Sequence, residues 1–359
     1  MPKLPLGPGD NLRQLPIETV RAIAILVLVS FHVIGGPEQG RGLAIQAPHP
    51  LRYYADLLID IRMPLFAFIA GAVYALRPVE IEKLGSFLMG KFRRLALPGI
   101  TAITLFVIMS KVMNTPDGAI DHPLDPYFRH YAIYWFLQAM LVIFLVYGTL
   151  DILTHGRVLL PALIISGLAI VAGYALKTDI MGMNRLTQLL FYFLFGIFFI
   201  REFSIVTEYR RIVLAAALAA MALGLAMNIQ VLIETGSFSA QRLDLQSLLF
   251  GGGACVSAFL LLPRLGWLQW LGAYSLTIYL YHIFATSAAR RAMEAAGFAS
   301  PWLLVLIGTC AGIALPVLLQ IMAKRWGVTR LLVLGMRGKP ARRGTPKDPG
   351  LAALPVAGR

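Results

Sequence analysis

The chain has 359 residues, of which 58% are hydrophobic and only 14% are charged, a composition that excludes an ordinary water-soluble domain. The net charge of +14 could suggest a nucleic-acid partner, but lysine and arginine lie mostly between apolar runs, where they orient a membrane protein. Both cysteines, Cys255 and Cys310, lie inside apolar runs, which argues against a disulfide framework or a cysteine metal site. The composition therefore predicts an all-α integral membrane protein that lies in a lipid bilayer and binds no nucleic acid.

Ten apolar runs are long enough to cross about 30 Å of hydrocarbon as helices, allowing for tilt. They cover residues 17–36, 53–76, 92–113, 130–150, 158–176, 185–200, 211–230, 245–262, 268–289 and 301–322. The first run continues to Gly36 without a small-x-small cleavage site, so we expect a retained span rather than a signal peptide. Lysine and arginine are concentrated in the segments that are cytoplasmic when both ends of the chain lie inside. The charge pattern therefore predicts an N-in, C-in topology.

The ten spans are predicted to form a single domain, residues 17–325, between two short flanking segments. Residues 1–16 form a polar cytoplasmic lead-in that contains proline and glycine. Residues 326–359 are basic and, from about Gly335, rich in proline and glycine, without periodicity. We expect this second segment to be a disordered cytoplasmic tail near anionic lipid head groups.

The first span carries an arginine near its start, Arg21, and a histidine deep inside, His32. Eleven residues turn a helix through about 1100°, so both side chains lie on one face, ~16 Å apart along the axis. Glu18 lies three residues before Arg21, within reach of a helical ion pair that would hold the arginine. An ionisable group as deep as His32 costs roughly 3 kcal/mol and usually faces a cavity.

Two other ionisable residues reach a depth similar to that of His32 in this topology. Measured from the cytoplasmic boundary, His32 lies at ~22 Å, Arg62 at ~17 Å and His282 at ~21 Å. A single buried histidine is more often a packed, hydrogen-bonded core residue. Three ionisable side chains at one level, however, indicate a shared hydrated cavity.

Polar residues also cluster on the ninth and fourth spans. Four of them, spaced four, three and four residues apart on one helix face, are Ser275, Tyr279, His282 and Thr286. In lipid such a face must contact protein or water. The fourth span opens with a second polar stripe, Tyr131, Tyr134 and Gln138. The alternative interpretation of these tyrosines, and that of Trp135, is the interfacial aromatic belt. Arg185, at the start of the sixth span, lines the outer mouth or anchors the span.

Three basic residues, Lys91, Arg93 and Arg94, lie at the cytoplasmic start of the third span. Two interpretations remain open. These residues set the topology and contact lipid head groups, or their side chains bind phosphate, which guanidinium groups do in bidentate fashion. The second interpretation suits a donor such as a nucleotide thioester.

Five motifs follow one another along the spans. They are Glu18-Thr-Val-Arg21 with Phe31-His32, Arg62-Met-Pro-Leu-Phe66 with Gly71, Lys91-Phe-Arg93-Arg94-Leu-Ala-Leu-Pro98, Tyr134-Trp135-Phe136-Leu137, and Ser275, Tyr279 and His282 in the ninth span. With these motifs the sequence resembles the membrane-bound acyltransferase type 3 family over about residues 17–325. The chain departs from the usual family pattern at Glu18-Thr19 (usually Asp-Gly), at Ala70 (often serine) and at Tyr134 (usually histidine).

The resemblance implies an O-acyltransferase of the cell inner or plasma membrane. Such an enzyme moves an acyl group, commonly acetyl, from cytoplasmic acyl-CoA to a hydroxyl of an extracytoplasmic or exported glycan or of a small molecule. Acetyl-CoA would be the donor substrate, and no metal is expected.

The family resemblance and the similar calculated depths of three ionisable residues together predict a role for each site residue. His32 would be the general base or carry the acyl group, since an imidazole pKa of ~6.5 suits either task. Arg21 would bind the donor and Arg62 would stabilise the developing oxyanion. The residues predicted to bind the donor phosphates are Lys91, Arg93 and Arg94. The residues predicted to bind the acceptor are His282, Tyr279, Ser275, Tyr134 and Trp135.

A multi-span transporter or flippase without acyl-transfer chemistry is the alternative interpretation of ten spans with buried charges. The chain shows no clear inverted repeat and no matching pair of spans broken by glycine or proline, as such transporters often do. A glycosyltransferase that uses a lipid-linked sugar is a third class. It would be expected to place acidic residues for a metal in the first outside loop, and that loop offers only Glu38.

Overall fold

The computed structural model describes residues 15–36 and 42–337, and these ranges are mostly helical and contain no β-strand. Ten helices in them have thirteen or more residues, and each overlaps one of the ten predicted runs. In chain order they are α1 (Ile17–Ile34), α2 (Ile59–Ala75), α3 (Leu97–Val112), α4 (Trp135–Leu153), α5 (Leu159–Val171), α6 (Leu186–Arg201), α7 (Arg210–Thr235), α8 (Leu245–Leu261), α9 (Ser275–Ala295) and α10 (Pro301–Ala323). The all-α prediction is confirmed.

Seven segments of the described ranges are long and apolar enough to cross a membrane. They are Ile17–Ile34, Pro50–Ala75, Ile81–Val112, Trp135–Leu153, Met183–Arg201, Arg210–Thr235 and Pro301–Ala323. The apolar helices α5 and α8 are shorter, with 13 and 17 residues. The last turns of α9 carry Arg290, Arg291 and Glu294. The protein is thus a multi-pass membrane protein, while the count of ten spans and the N-in, C-in orientation stay predictions.

Short helices join the long ones, and two of them lengthen a span. The short helices are Pro50–Leu57, Leu84–Lys91, Asp125–Phe128, Phe203–Glu208, Gly266–Gly272 and Gly327–Leu332. A π-helical turn, Phe92–Ala96, links Leu84–Lys91 to α3. Pro98 has no N–H to donate to the carbonyl of Arg94, so the α-helical pattern is already interrupted at this point.

Helix ends near the cavity described below follow from local sequence. The helix α1 starts directly after Pro16 and ends at Gly35, whose backbone N–H donates to the carbonyl of Phe31. The helix α7 ends at Gly236, which adopts the left-handed conformation that favours glycine. The helix α8 starts with a capping box, in which Asp244 Oδ1 accepts from the backbone N–H of Ser247 at 2.7 Å.

Glycines allow the helices around α2 to touch along their backbones. A Cβ atom on Gly71 of α2 would lie 1.9 Å from the carbonyl oxygen of Phe193, and one on Gly196 of α6 would lie 2.1 Å from that of Phe68. On the other side of α2, a Cβ on Gly251 of α8 would lie 2.5 Å from the carbonyl oxygen of Asp60. Small residues at such crossings bring backbones close together, so these contacts fix the position of α2.

The predicted flanking segments lie partly outside the described residues. Residues 1–14, 37–41 and 338–359 are not described, and Glu38 and most of the predicted tail belong to them. The first residues of the predicted tail form the helix Gly327–Leu332, and the carbonyl of Gly335 accepts from Arg93 Nε at 3.1 Å. The division into lead-in, domain and tail stays a prediction.

Candidate active site

A cavity of about 470 Å³ lies at the end of the helix bundle where the loops α3–α4, α5–α6 and α7–α8 meet. In the predicted topology this is the outer end. The helices α1, α2 and α9 form its inner wall. Its charged and histidine side chains, among the described residues, are His32, Arg62, Asp117, His130, Arg185 and Arg242.

Two histidines from different helices meet beside this cavity. The ring centroids of His32 and His282 lie 5.1 Å apart, with 37° between the ring planes. His282 is completely buried, and its Nδ1 lies 2.9 Å from the carbonyl oxygen of Ile278 and 3.0 Å from that of Tyr279. Because carbonyl oxygens only accept, Nδ1 carries the proton, and Nε2 of the neutral ring is left as an acceptor. This Nε2 is buried and has no hydrogen-bond partner among the described residues.

Arg62 lies next to the histidines and is 95% buried, with 5% of its surface exposed. Its guanidinium carbon lies 3.4 Å from the ring centroid of Phe31, and that ring in turn contacts His32 edge-on at 5.1 Å. The guanidinium group makes no hydrogen bond or ion pair with any described residue, although the cation–π contact holds it in place. Arg62 therefore keeps its hydrogen-bond donors available to a bound molecule.

The predicted acceptor residues divide into two groups. Tyr279 and Trp135 line the cavity, and Trp135 stacks on His130 with centroids 5.6 Å apart. Tyr134 is completely buried outside the cavity and donates its hydroxyl to the carbonyl of Leu280 at 3.2 Å. Ser275 is also outside the cavity, ~10 Å below His282 along the axis of α9.

The predicted donor residues lie away from the cavity. Arg21 pairs with Glu18 at 2.7 Å, one ionic contact near the start of α1. Lys91 Nζ lies 3.4 Å from the ring centroid of Phe144. Arg93 donates to the carbonyl of Gly335, and Arg94 is exposed. These residues lie toward the opposite end of the bundle, ~25 Å along α3 from the loop that lines the cavity.

The structure adds two cavity residues that the sequence did not single out, Arg242 and His130, and it places Arg185 at the cavity too. Arg242 lies in the α7–α8 loop, Arg185 at the start of α6 and His130 before α4. Burial, together with the positive charge of Arg185, lowers the pKa of Arg242 to about 10, and Asp60 and Asp56 oppose this shift. An arginine in a loop usually indicates a solvated surface, so local sequence carries no signal for Arg242. In the described part of the chain, no group of three or more histidine, cysteine, aspartate or glutamate residues can hold a metal ion.

A family model described as an acyltransferase domain matches residues 16–321. The match begins just before α1 and ends within the last turn of α10, so it includes both histidines and all the arginines of the cavity. Searches of curated proteins and of solved structures each gave no match. Because the family model covers most of the chain, the protein belongs to the acyltransferase 3 family and is a multi-pass membrane acyltransferase.

Proposed function

We propose that this acyltransferase moves an acetyl group from cytoplasmic acetyl-CoA to a hydroxyl of an extracytoplasmic or exported glycan or small molecule, in the cell inner or plasma membrane. The contact between His32 and His282 at the cavity carries this proposal. An imidazole is the side chain best suited to accept a hydroxyl proton near neutral pH. Two such rings from separate helices, with Arg62 beside them, supply the base and the cation that acyl transfer needs.

The proposed reaction takes place on the thioester carbonyl. His32 removes the proton of the acceptor hydroxyl as the oxygen attacks the carbonyl carbon. A C–O bond forms, the C–S bond breaks, and the proton passes from His32 to the sulfur of coenzyme A, which leaves as the thiol. A variant of this path has the acetyl group carried briefly by His32 before the hydroxyl attacks.

The neighbours of His32 have separate tasks in this proposal. Arg62 faces the cavity, has no hydrogen-bond acceptor in the described part of the chain, and would stabilise the negative charge that develops on the carbonyl oxygen. His282 is completely buried and does not line the cavity, so it would orient the acceptor through His32, whose ring lies 5.1 Å from its own. Tyr279 and Trp135 would contact the acceptor directly. Tyr134 and Ser275 lie outside the cavity, so neither would touch the acceptor. We assign Tyr134 to positioning, because its hydroxyl donates to the carbonyl of Leu280, two residues before His282.

The donor would approach from the opposite end of the bundle. Lys91, Arg93 and Arg94 offer cations for the phosphates of coenzyme A, and guanidinium groups bind phosphate in bidentate fashion. Arg21 lies on the face of α1 that leads to His32 and would bind the donor between these two ends. The long pantetheine arm of coenzyme A suits this distance, since it places the thioester far from the phosphates.

A transfer assay with radiolabelled acetyl-CoA tests the proposal on protein purified into lipid nanodiscs. With a hydroxyl-bearing glycan extract as acceptor, we expect label that mild base releases as acetate, as an O-ester does. The substitution His32→Ala should lower the transfer rate about 10²- to 10⁴-fold, the usual contribution of a general base. The matched control is His122→Ala, because His122 is exposed in the α3–α4 loop and should leave the rate unchanged. Full activity in the His32→Ala protein would remove His32 from the mechanism. Mass spectrometry of surface glycans from strains with and without the gene would then identify the acceptor.

A further inference from the structure

Three arginines that are far apart in sequence line the same cavity. Arg62 comes from α2, Arg185 precedes α6, and Arg242 lies in the α7–α8 loop. Asp117 is the one acidic residue among the described residues that line it. The cavity wall is therefore positively charged, although it lies at the end of the bundle away from the predicted cytoplasmic phosphate site.

Among the described residues, these arginines lack the ion-pair partners that cations shielded from water usually have. None of the three guanidinium groups makes a hydrogen bond or an ion pair with another residue in the described ranges, and Arg62 has only the Phe31 ring. The other carboxylates near them have different tasks. Asp56 pairs with Arg52, Asp244 caps α8, and Asp60 accepts from Gln246 Nε2 at 3.2 Å. Among the described residues no carboxylate therefore forms an ion pair with this group of cations, although Asp60 and Asp56 attract Arg242.

Like charges at close range destabilise one another, and the charge of Arg185 acts on Arg242 in this way. At neutral pH Arg242 still carries its charge. Folding alone does not explain why three cations that form no ion pair within the described ranges, one buried and two half-buried, line one cavity, since a charge removed from water without a partner is costly. An anionic ligand would relieve this cost, and the planar guanidinium group matches carboxylate and phosphate geometry.

We propose, on the basis of the function proposed above, that the acceptor carries a carboxylate or phosphate group and that Arg185 and Arg242 bind it. The anion would fix the acceptor so that a neighbouring hydroxyl lies beside His32 and Arg62. A cavity of about 470 Å³ lies within the usual size range of small-molecule sites and suits one acidic sugar unit. Neutral glycans of the same size would bind more weakly.

The donor is the competing ligand for these arginines, because its phosphates are also anions. The position of the cavity argues against it, because Lys91, Arg93 and Arg94 lie at the opposite end of α3. Phenylglyoxal, which modifies accessible arginine side chains, separates the two ligands when mass spectrometry reads out each arginine. Arg291 is exposed on α9 and serves as the internal reference.

The protection experiment uses the full chain in nanodiscs and four probes: methyl glucuronide, glucose 1-phosphate, methyl glucoside and acetyl-CoA. We expect a carboxylate or a phosphate sugar to slow modification of Arg185 and Arg242 at least fivefold, with no change at Arg291. The stronger of the two probes identifies the anion. Equal protection by the neutral methyl glucoside, or no protection by either anionic sugar, would overturn the proposal. Protection by acetyl-CoA alone would assign the arginines to the donor, and the acyl-transfer function would still stand.

Steady-state kinetics provide a second readout, with the acceptor fraction that takes up label in the transfer assay. Arg185→Gln and Arg242→Gln should each raise the KM for the acceptor about tenfold and leave the KM for acetyl-CoA unchanged. Arg291→Gln should change neither constant. A rise in the KM for acetyl-CoA alone would contradict the proposal. Absence of any acetyl transfer in the wild-type protein, with the anionic sugars still protecting both arginines, would instead refute the proposed function.

Discussion

Two groups of buried and half-buried charges lie at opposite ends of this bundle, and they differ in whether other protein groups pair with them. At the predicted inner end, Arg201 of α6 donates to both carboxylate oxygens of Asp151 of α4, at 3.0 and 2.6 Å. Tyr74 of α2 donates to the same carboxylate at 2.9 Å, and Tyr147 completes the cluster. At the cavity end, Arg62, Arg185 and Arg242 have no such acceptors among the described residues.

The difference separates a structural cluster from a site that is ready to bind. The Asp151 cluster joins three helices, and each of its polar groups has a partner, so it gains nothing from a ligand. The cavity arginines differ, since they line an open volume and no described residue accepts a hydrogen bond from them. Buried charge thus identifies a functional site only when the surrounding protein leaves it without a partner.

Of the substitutions that compare the two ends of the bundle, we expect the largest loss of activity from one at the cavity arginine Arg62. In the substitution Arg62→Gln the cation that faces the developing oxyanion is lost, and we expect kcat to fall about 10²- to 10³-fold, as for an oxyanion donor. Thermal unfolding in detergent should change little, because no described residue forms a hydrogen bond or an ion pair with Arg62 that the substitution would break. An unchanged kcat, or a large fall in unfolding temperature, would show that Arg62 has a structural role like that of Arg201.

The inner cluster should respond in the opposite way. The substitution Asp151→Asn leaves Arg201 without its counter-charge, and breaking a buried pair typically costs about 3 kcal/mol or more. We therefore expect a lower free energy of unfolding in denaturant titrations. The matched change at the cavity end, Arg242→Gln, should leave that free energy unchanged or raise it, because it removes a cation that repels its neighbours. If the two substitutions lowered the free energy of unfolding equally, the charges at both ends would contribute to folding stability in the same way, which contradicts the comparison.

The sequence predicted the positions of the long helices and of the site residues that lie on them. Apolar runs locate the ten long helices of residues 15–36 and 42–337, and the constant rise of a helix explains why His32 and His282, at similar calculated depths, meet in the structure. The five motifs predicted the family, which the family model confirms. Because helix geometry is regular, the positions of the helices and the depths of their residues can be predicted from the sequence without knowledge of tertiary contacts.

Local sequence patterns could not predict where loop residues lie or which distant residues they contact. Arg242 lies in a loop, and loops have no period from which a depth could be calculated. Arg93 donates to the carbonyl of Gly335, which lies 242 residues further along the chain, and no spacing rule predicts that partner. Similarly, the stripe through Tyr134 predicts which face is polar but not that the Leu280 carbonyl accepts from the hydroxyl. For these residues the tertiary partner decides between a structural and a binding role.

Tyr134 offers the smallest and most discriminating test, because it lies beside the cavity but is fully paired, as the inner cluster is. In Tyr134→Phe the hydrogen bond to the Leu280 carbonyl is lost, which should lower the free energy of unfolding by about 1 kcal/mol. If Tyr134 also positions His282 through that carbonyl, kcat should fall a few-fold while the KM for acetyl-CoA stays the same. A purely structural tyrosine would change stability and leave kcat at the wild-type value. Tyr147→Phe in the inner cluster is the matched control, since it removes one tyrosine hydroxyl far from both histidines and should alter stability alone.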